Sequence, residues 1–298
     1  MKILLTGSSG LLGTAVLNEA ARFGQEHDID FEFVGLDIRE STFASSTFEN
    51  HVGNFTDAAL IEKILPGCDA VIHTAAYHNG QMKDHTPTEF VEVNAGGLTT
   101  LLETCVKHGV KRFVFSSTME ILVGRDWVAS GMQRLDESCP PRPQTIYSQS
   151  KLQCESLGQY YVAQMGIEFL ALRYQNIDPP NASPLGLLAR GVTAADAARA
   201  NLLATTVKNI SYEMMLIGPA TPLQNSDMVK AQSNPESVLE RYWPGATKVL
   251  LEEGLNLKPD DFWPAVNIDH ARRVLSWEPE QTFERWLREH GWTEAVTA

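Results

Sequence analysis

The run Ile3-Leu4-Leu5-Thr6-Gly7-Ser8-Ser9-Gly10-Leu11-Leu12-Gly13 decides how the rest of the chain is read. Its apolar start predicts a buried strand, its glycines a tight turn, and Leu12, Val16, Leu17 and Ala20 a helix opening out of that turn. Gly7 allows the turn, Gly10 lets backbone N–H groups approach a pyrophosphate on the helix N-terminus, and Gly13 lets the helix pack against the sheet. A glycine triplet also occurs in plain turns, so the dinucleotide reading rests on the company it keeps further along the chain.

The 298 residues suffice for two small domains or for one large α/β unit with a dependent lobe. No internal repeat or long linker breaks the sequence. No apolar run approaches the roughly 18 residues that span a bilayer, and the N-terminus lacks the regions of a signal peptide, so a cytoplasmic protein is expected. The four cysteines, Cys68, Cys105, Cys139 and Cys154, form no CxxC pair and no zinc-ligand spacing. They read as free thiols of a reducing compartment, with no metal expected. A formal charge of −13 argues against nucleic acid or an anionic membrane as partner. An anionic small molecule, which needs only a local positive patch, stays open.

Outward from the turn, Phe31–Asp37 is a second strand pattern ending in a carboxylate, where a βαβ nucleotide fold meets the adenosine ribose. Asp37 lies 30 residues after Gly7 rather than the usual ~20, which implies a lengthened helix or loop. A carboxylate there bonds a 2′-hydroxyl and repels a 2′-phosphate, favouring NAD; Arg39 keeps NADP open. Val52–Asp57 reads as a short strand, a turn and a helix cap, and Ala58–Leu65 as the helix. Ala70–Ala76 reads as a fourth strand closing on small residues, with His73 a strand-end or core histidine rather than a ligand. Tyr77 and His78 fall just past it, on the substrate side of such sheets.

Glu89–Lys107 has helical apolar spacing ended by Gly109. Within it Asn94 either bonds backbone near the site or is an ordinary exposed amide. Arg112–Phe115 is a fifth strand that delivers Ser116, Ser117 and Thr118 at its carboxyl end. After the proline-rich loop Cys139–Pro143 a helix begins, carrying Tyr147 and Lys151 four residues apart on one face. An ammonium beside a phenol favours the phenolate, which would let Tyr147 exchange a proton near neutral pH. The competing reading is a plain surface pair. The preceding glycine turn, strand-end acid and hydroxyl cluster favour the first.

With these residues in hand, the chain resembles an extended short-chain dehydrogenase/reductase of the NAD-dependent epimerase/dehydratase kind, over nearly its whole length. Carrying the resemblance are the TGxxGxxG turn, Asp37, the Asp69–Ala76 strand, Asn94, Ser116–Thr118, the YxxxK pair, Leu172–Asn176, the Val192–Ala200 helix and the Asp269–Pro279 segment. It implies that Tyr147 is the acid/base, that Lys151 binds the nicotinamide ribose and lowers the tyrosine, and that Thr118 orients substrate. Gly7, Ser9, Gly10, Leu11 and Leu12 would surround the pyrophosphate and Asp37 the ribose. Asn54 and Phe55 would lie near adenine, Ala75, Ala76 and Asn94 beside the cofactor, and Tyr174 near the nicotinamide. Asn176 would face substrate, and a homodimer through the helices bearing Asn94–Lys107 and Tyr147–Met165 is implied.

Four departures bear on function. Asn54-Phe55 stands where the family has an aspartate and an aliphatic residue. Met119-Glu120 comes after Thr118 where sugar-nucleotide dehydratases have Asp-Glu; a thioether cannot protonate a leaving hydroxyl, so dehydration is disfavoured, while Glu120 still reaches substrate. The loop Met119–Gly124 is one residue longer than usual. Finally, only Ile177–Gly191 separates the Asn176 strand end from the next helix, which suggests a small substrate without a nucleotide handle, as in uronate and other short-lidded sugar dehydrogenases. Arg190 is the candidate anion contact there, against the plainer reading of a solvated arginine.

The expectation is a Rossmann-type, doubly wound, mostly parallel sheet of about seven strands formed by residues 1–176 with 192–217 returning to it. Residues 177–191 and 218–298 would form a small substrate lobe. The expected activity is NAD-dependent hydride transfer with a small sugar, sugar acid or other hydroxy or carbonyl compound. A sugar epimerase that keeps NAD bound uses the same residues. A non-catalytic NAD-sensing regulator is a further alternative, against which the intact Thr118, Tyr147 and Lys151 argue.

Overall fold

The computed structural model describes residues 1–123, 134–179 and 182–294. Among them the strands are β1 (Lys2–Thr6), β2 (Glu32–Asp37), β3 (Phe48–Val52), β4 (Ala70–His73), β5 (Arg112–Thr118), β6 (Glu168–Tyr174), β7 (Asn176–Asp178), β8 (Gly191–Thr193) and β9 (Tyr212–Ile217). Seven form one sheet in the order β3-β2-β1-β4-β5-β6-β9, every neighbouring pair parallel, and β7 pairs with β8 alongside it. The strand order reverses direction between β1 and β4, which opens a crevice at their carboxyl ends.

Burial on both faces explains the near-continuous apolar runs of these strands. Alternate residues belong to opposite layers: Ile3, Leu5, Val114, Leu170 and Leu172 pack under the helices Leu11–His27 and Ala194–Thr206, whereas Leu4, Phe113, Phe115, Phe169 and Ala171 pack under Ala58–Ile64, Gly97–His108 and Ile146–Met165. A third apolar cluster joins Leu185, Leu188 and Ala189 to Leu223, Trp243, Phe262, Phe283 and Trp292. The segment containing Val266, Ile268, Ala271, Leu275 and Trp277 packs instead on the first layer.

Asp196 ties that last stretch down. Its carboxylate accepts the N–H groups of Glu280 and Gln281, and its carbonyl accepts Trp277 Nε1. Glu280 in turn meets Arg22 and Arg199 on the two helices of that layer.

Several boundaries differ from the sequence reading. The strand before Gly53 runs over Phe48–Val52; its Glu49, Asn50 and His51 are the polar residues of an edge strand, which carry no apolar signal. Pairing in β4 stops at His73 because its partner β1 turns away at Gly7, leaving Ala75 and Ala76 outside the ladder. The helix read as Glu89–Lys107 is broken: Pro87–Val91 and Gly97–His108 flank a π-helical turn, Glu92–Gly96. Among the described residues no helix is long and apolar enough to cross a membrane.

Candidate active site

At the crevice the carboxyl ends of the strands border one cavity of about 870 Å³. The turn after β1 forms its floor. A Cβ at Gly13 would lie 2.1 Å from the Gly7 carbonyl oxygen, and one at Gly7, whose φ is +74°, would lie 2.5 Å from Thr74 Oγ1. Only glycine lets strand and helix approach this closely. Helix Leu11–His27 begins after Gly10 with no side-chain cap, so its first-turn amides keep their capacity for an acceptor.

Asp37, at the end of β2, is fixed by the N–H groups of Ser9 and Arg39, each 3.0 Å from one of its carboxylate oxygens. The exposed Arg39 guanidinium lies beside it, Nε 3.7 Å away, and donates to the Ser9 carbonyl at 3.0 Å. Asn54 and Phe55 close this end of the cavity with Ile38, which is 68% exposed. Glycine floor, uncapped helix start and strand-end carboxylate match a diphosphate and a ribose diol in their chemistry.

Across the cavity, helix Ile146–Met165 is capped by Thr145, whose hydroxyl accepts the Ser148 N–H at 3.0 Å. Its buried face is polar: Ser148, Ser150, Lys151, Cys154 and Glu155 all point inward. Lys151 Nζ donates to the Ser116 carbonyl at 2.7 Å and lies 4.7 Å from the centre of the Phe115 ring. Burial lowers its ammonium to about 8, partly opposed by Cys154 and Glu155. Burial raises the Tyr147 phenol above its ordinary value, the Glu120 carboxylate adds to the rise, and a hydrogen bond with Thr118 draws it back. The sequence reading gave the lowering role to Lys151. Here Nζ is turned to Ser116, 5.9 Å from the Tyr147 ring centre.

Behind the helix, Glu155 accepts from Arg173 Nε at 2.9 Å, Arg173 Nη2 at 2.6 Å and Ser117 Oγ at 2.6 Å, all of it buried. This holds β5 and β6 in place under Lys151.

The cavity brings together Gly7, Gly10, Leu11, Leu12, Asp37, Asn54, Phe55, Ala75, Ala76, Thr118, Tyr147, Lys151 and Tyr174, and on the other side His78, Glu120 and Asn176. Three expected residues stand elsewhere. Ser9 is engaged by Asp37 and Arg39 through its N–H and hydroxyl. Asn94 is behind the wall: its amide accepts the Tyr77 N–H at 2.8 Å and donates to the Tyr77 carbonyl and to Ser150 Oγ, both at 2.9 Å. The π turn, with its extra residue, aims that side chain at the strand end and the helix at once. Arg190, expected as an anion contact, does not border the cavity, and its Nη2 bonds Asp261 at 3.0 Å.

Asn79, Gln81 and Gln175 also border the cavity and carry no periodic signal that could have found them. Asn79 donates to Glu120, and Gln175 is held by the Pro264 carbonyl at 2.5 Å. Of the long Met119–Gly124 loop, Gly124 lies outside the described residues. No group of His, Cys, Asp and Glu among the described residues is placed to hold a metal ion.

A sequence model described as the NAD dependent epimerase/dehydratase family matches residues 3–213. A UDP-glucose 4-epimerase of Streptococcus mutans is 29% identical over 180 residues, 59% of this chain and 52% of that protein. An L-arabinose 1-dehydrogenase (NAD(P)(+)) of Haloferax volcanii is 28% identical over 189 residues, 58% of this chain and 65% of that one. The chain thus spans between about half and two thirds of the length of these relatives. Among solved structures, a mutated uronate dehydrogenase superposes with a TM-score of 0.69 at 20% identity, covering 99% of this chain and 88% of the other. At that identity the likeness is one of fold.

Proposed function

The chain belongs to the NAD dependent epimerase/dehydratase family, and from that premise we propose that it is an NAD-dependent oxidoreductase acting on a small sugar, sugar acid or related hydroxy or carbonyl compound. What carries the reading is the convergence of Thr118, Tyr147 and Lys151 on the same cavity as the glycine turn and Asp37.

In this reading the first-turn amides at Leu11 and Leu12 hold the diphosphate, Asp37 the adenosine ribose, and Lys151 the nicotinamide ribose. Bound there, NAD would supply the hydride acceptor and the positive charge of its oxidised ring. Thr118 Oγ1 and Tyr147 hold the reacting hydroxyl, and Tyr147, as the phenolate, takes its proton while the carbon gives its hydride to the cofactor. In carbonyl reduction the same proton returns. Tyr147 lies in a site that raises its phenol, so a cation arriving beside it lowers the cost of the phenolate. Glu120 and Asn176 contact substrate, and fixed positioning is the protein's main contribution.

The family relation to epimerases supports a second reading in which NAD stays bound and hydride returns to the opposite face. Reduced-nicotinamide absorbance separates the two. Purified protein with NAD, NADP and a panel of free sugars, sugar acids, hydroxy acids and nucleotide sugars should accumulate NADH with a small unactivated substrate. An altered nucleotide sugar by NMR, with no net absorbance change, would make it an epimerase.

A homodimer is part of the proposal, through the exposed faces of Gly97–His108 and Ile146–Met165, where Val106, Tyr160 and Met165 meet solvent. Cytoplasmic residence is supported by the four free cysteines.

A further inference from the structure

We infer that the substrate is an uncharged sugar or polyol and not a sugar acid or a nucleotide sugar, with Glu120 as the residue that sets this choice. The inference rests on the oxidoreductase reading and deepens it.

The substrate end of the cavity is bordered by His78, Asn79, Gln81, Glu120 and Asn176 beyond Thr118 and Tyr147. Its fixed charge is the Glu120 carboxylate. Among the described residues that border the cavity, the Lys and Arg side chains are Arg39, at the other end beside Asp37, and Lys151, whose Nζ donates to the Ser116 carbonyl at the foot of the cofactor side. His78 is turned back on its own turn, its Nδ1 accepting the Gly80 N–H at 3.1 Å.

The remaining groups suit hydroxyls. Gln81 borders the cavity, and its Oε1 accepts the His78 N–H at 3.0 Å, which leaves the amide's NH₂ as its donor. Asn79 bonds Glu120 through its nitrogen and keeps Oδ1 buried with no hydrogen-bond partner. A buried acceptor of this kind is satisfied by a donor, and a sugar hydroxyl is one. Glu120, acceptor only, takes a second hydroxyl. A carboxylate or diphosphate brings acceptors to acceptors and negative charge to negative charge, and would have to shed its hydration without a counter-ion.

Substrate preference can be read without turnover. Tyr147→Phe protein saturated with NAD is titrated calorimetrically with pairs that differ only in CH₂OH against carboxylate: D-glucose with D-glucuronate, and D-galactose with D-galacturonate. At least one neutral member should bind ten-fold or more tightly than its uronate, and adding Glu120→Gln should narrow that gap several-fold. A uronate that binds as well as its neutral partner, or no binding by any of the four, overturns the inference. A gap that Glu120→Gln leaves unchanged removes Glu120 from the role. NADH formation by the wild-type protein with the same sugars is followed in parallel; neutral binding without NADH would sink the oxidoreductase reading and leave the substrate class standing.

Discussion

Tyr147 and Lys151 share a helix face, and burial drives both toward neutrality, the phenol upward and the ammonium down to about 8. A proton on Tyr147 is therefore held firmly until a positive group arrives beside it, so in the proposed mechanism proton transfer depends on a filled site. Replacing Tyr147 by Phe should cut kcat by about a thousandfold, within the range of general-base losses, and leave the dissociation constant for NAD within a fewfold, by fluorescence titration. Retained turnover would move the acid/base to another residue. At this scale the sequence was legible where spacing brings side chains together, since Thr118, Tyr147 and Lys151 border one cavity. It was opaque where a third residue decides, since Arg190 looked free until Asp261, 71 positions away, was seen on it.

Elements show the same division. The glycine turn and the central strands were readable because sterics and burial on both faces impose local patterns, a tight glycine turn and short apolar runs. Helix Ile146–Met165 was legible from the end of the proline-rich loop although its buried face is largely polar, whereas the π turn at Asn94 adds a residue that no 3.6-residue pattern anticipates. Two substitutions test the glycines. Gly13→Ala puts a methyl into the Gly7 carbonyl and should weaken NAD binding at least tenfold, whereas Gly96→Ala meets nothing nearer than 4.0 Å and should be neutral or add up to about 1 kcal/mol by urea unfolding. The Glu155–Arg173 pair is a second element-level device. Glu155→Ala strands a buried guanidinium and should cost about 3–5 kcal/mol, while Glu155→Leu combined with Arg173→Leu should recover much of it. Losses that simply add would show the two side chains act independently.

Across the whole molecule, acid stability depends on a side chain remote from solvent. His73 is buried between β1 and β5, its Nδ1 2.6 Å from Thr6 Oγ1, and burial with the nearby Lys151 charge holds its pKa at about 3. Unfolded, the ring takes a proton near pH 6.5; folded, it does not until about 3. The unfolded state thus binds more protons throughout that window, and stability falls as pH drops through it. Between pH 7 and 4.5 the wild type should lose about 2–3 kcal/mol more than His73→Asn in urea unfolding; equal losses would assign acid sensitivity to other groups.

The Asp196 latch has a bearing on biosynthesis. Its acceptor oxygens are met by amides 84 and 85 positions further along the chain. At ribosomal speeds of about 5–20 residues per second, roughly 4–17 s pass before those amides exist. Through that interval the nascent helix Ala194–Thr206 can lie on the sheet only with its carboxylate still hydrated, so the layer closes last from its C-terminal side.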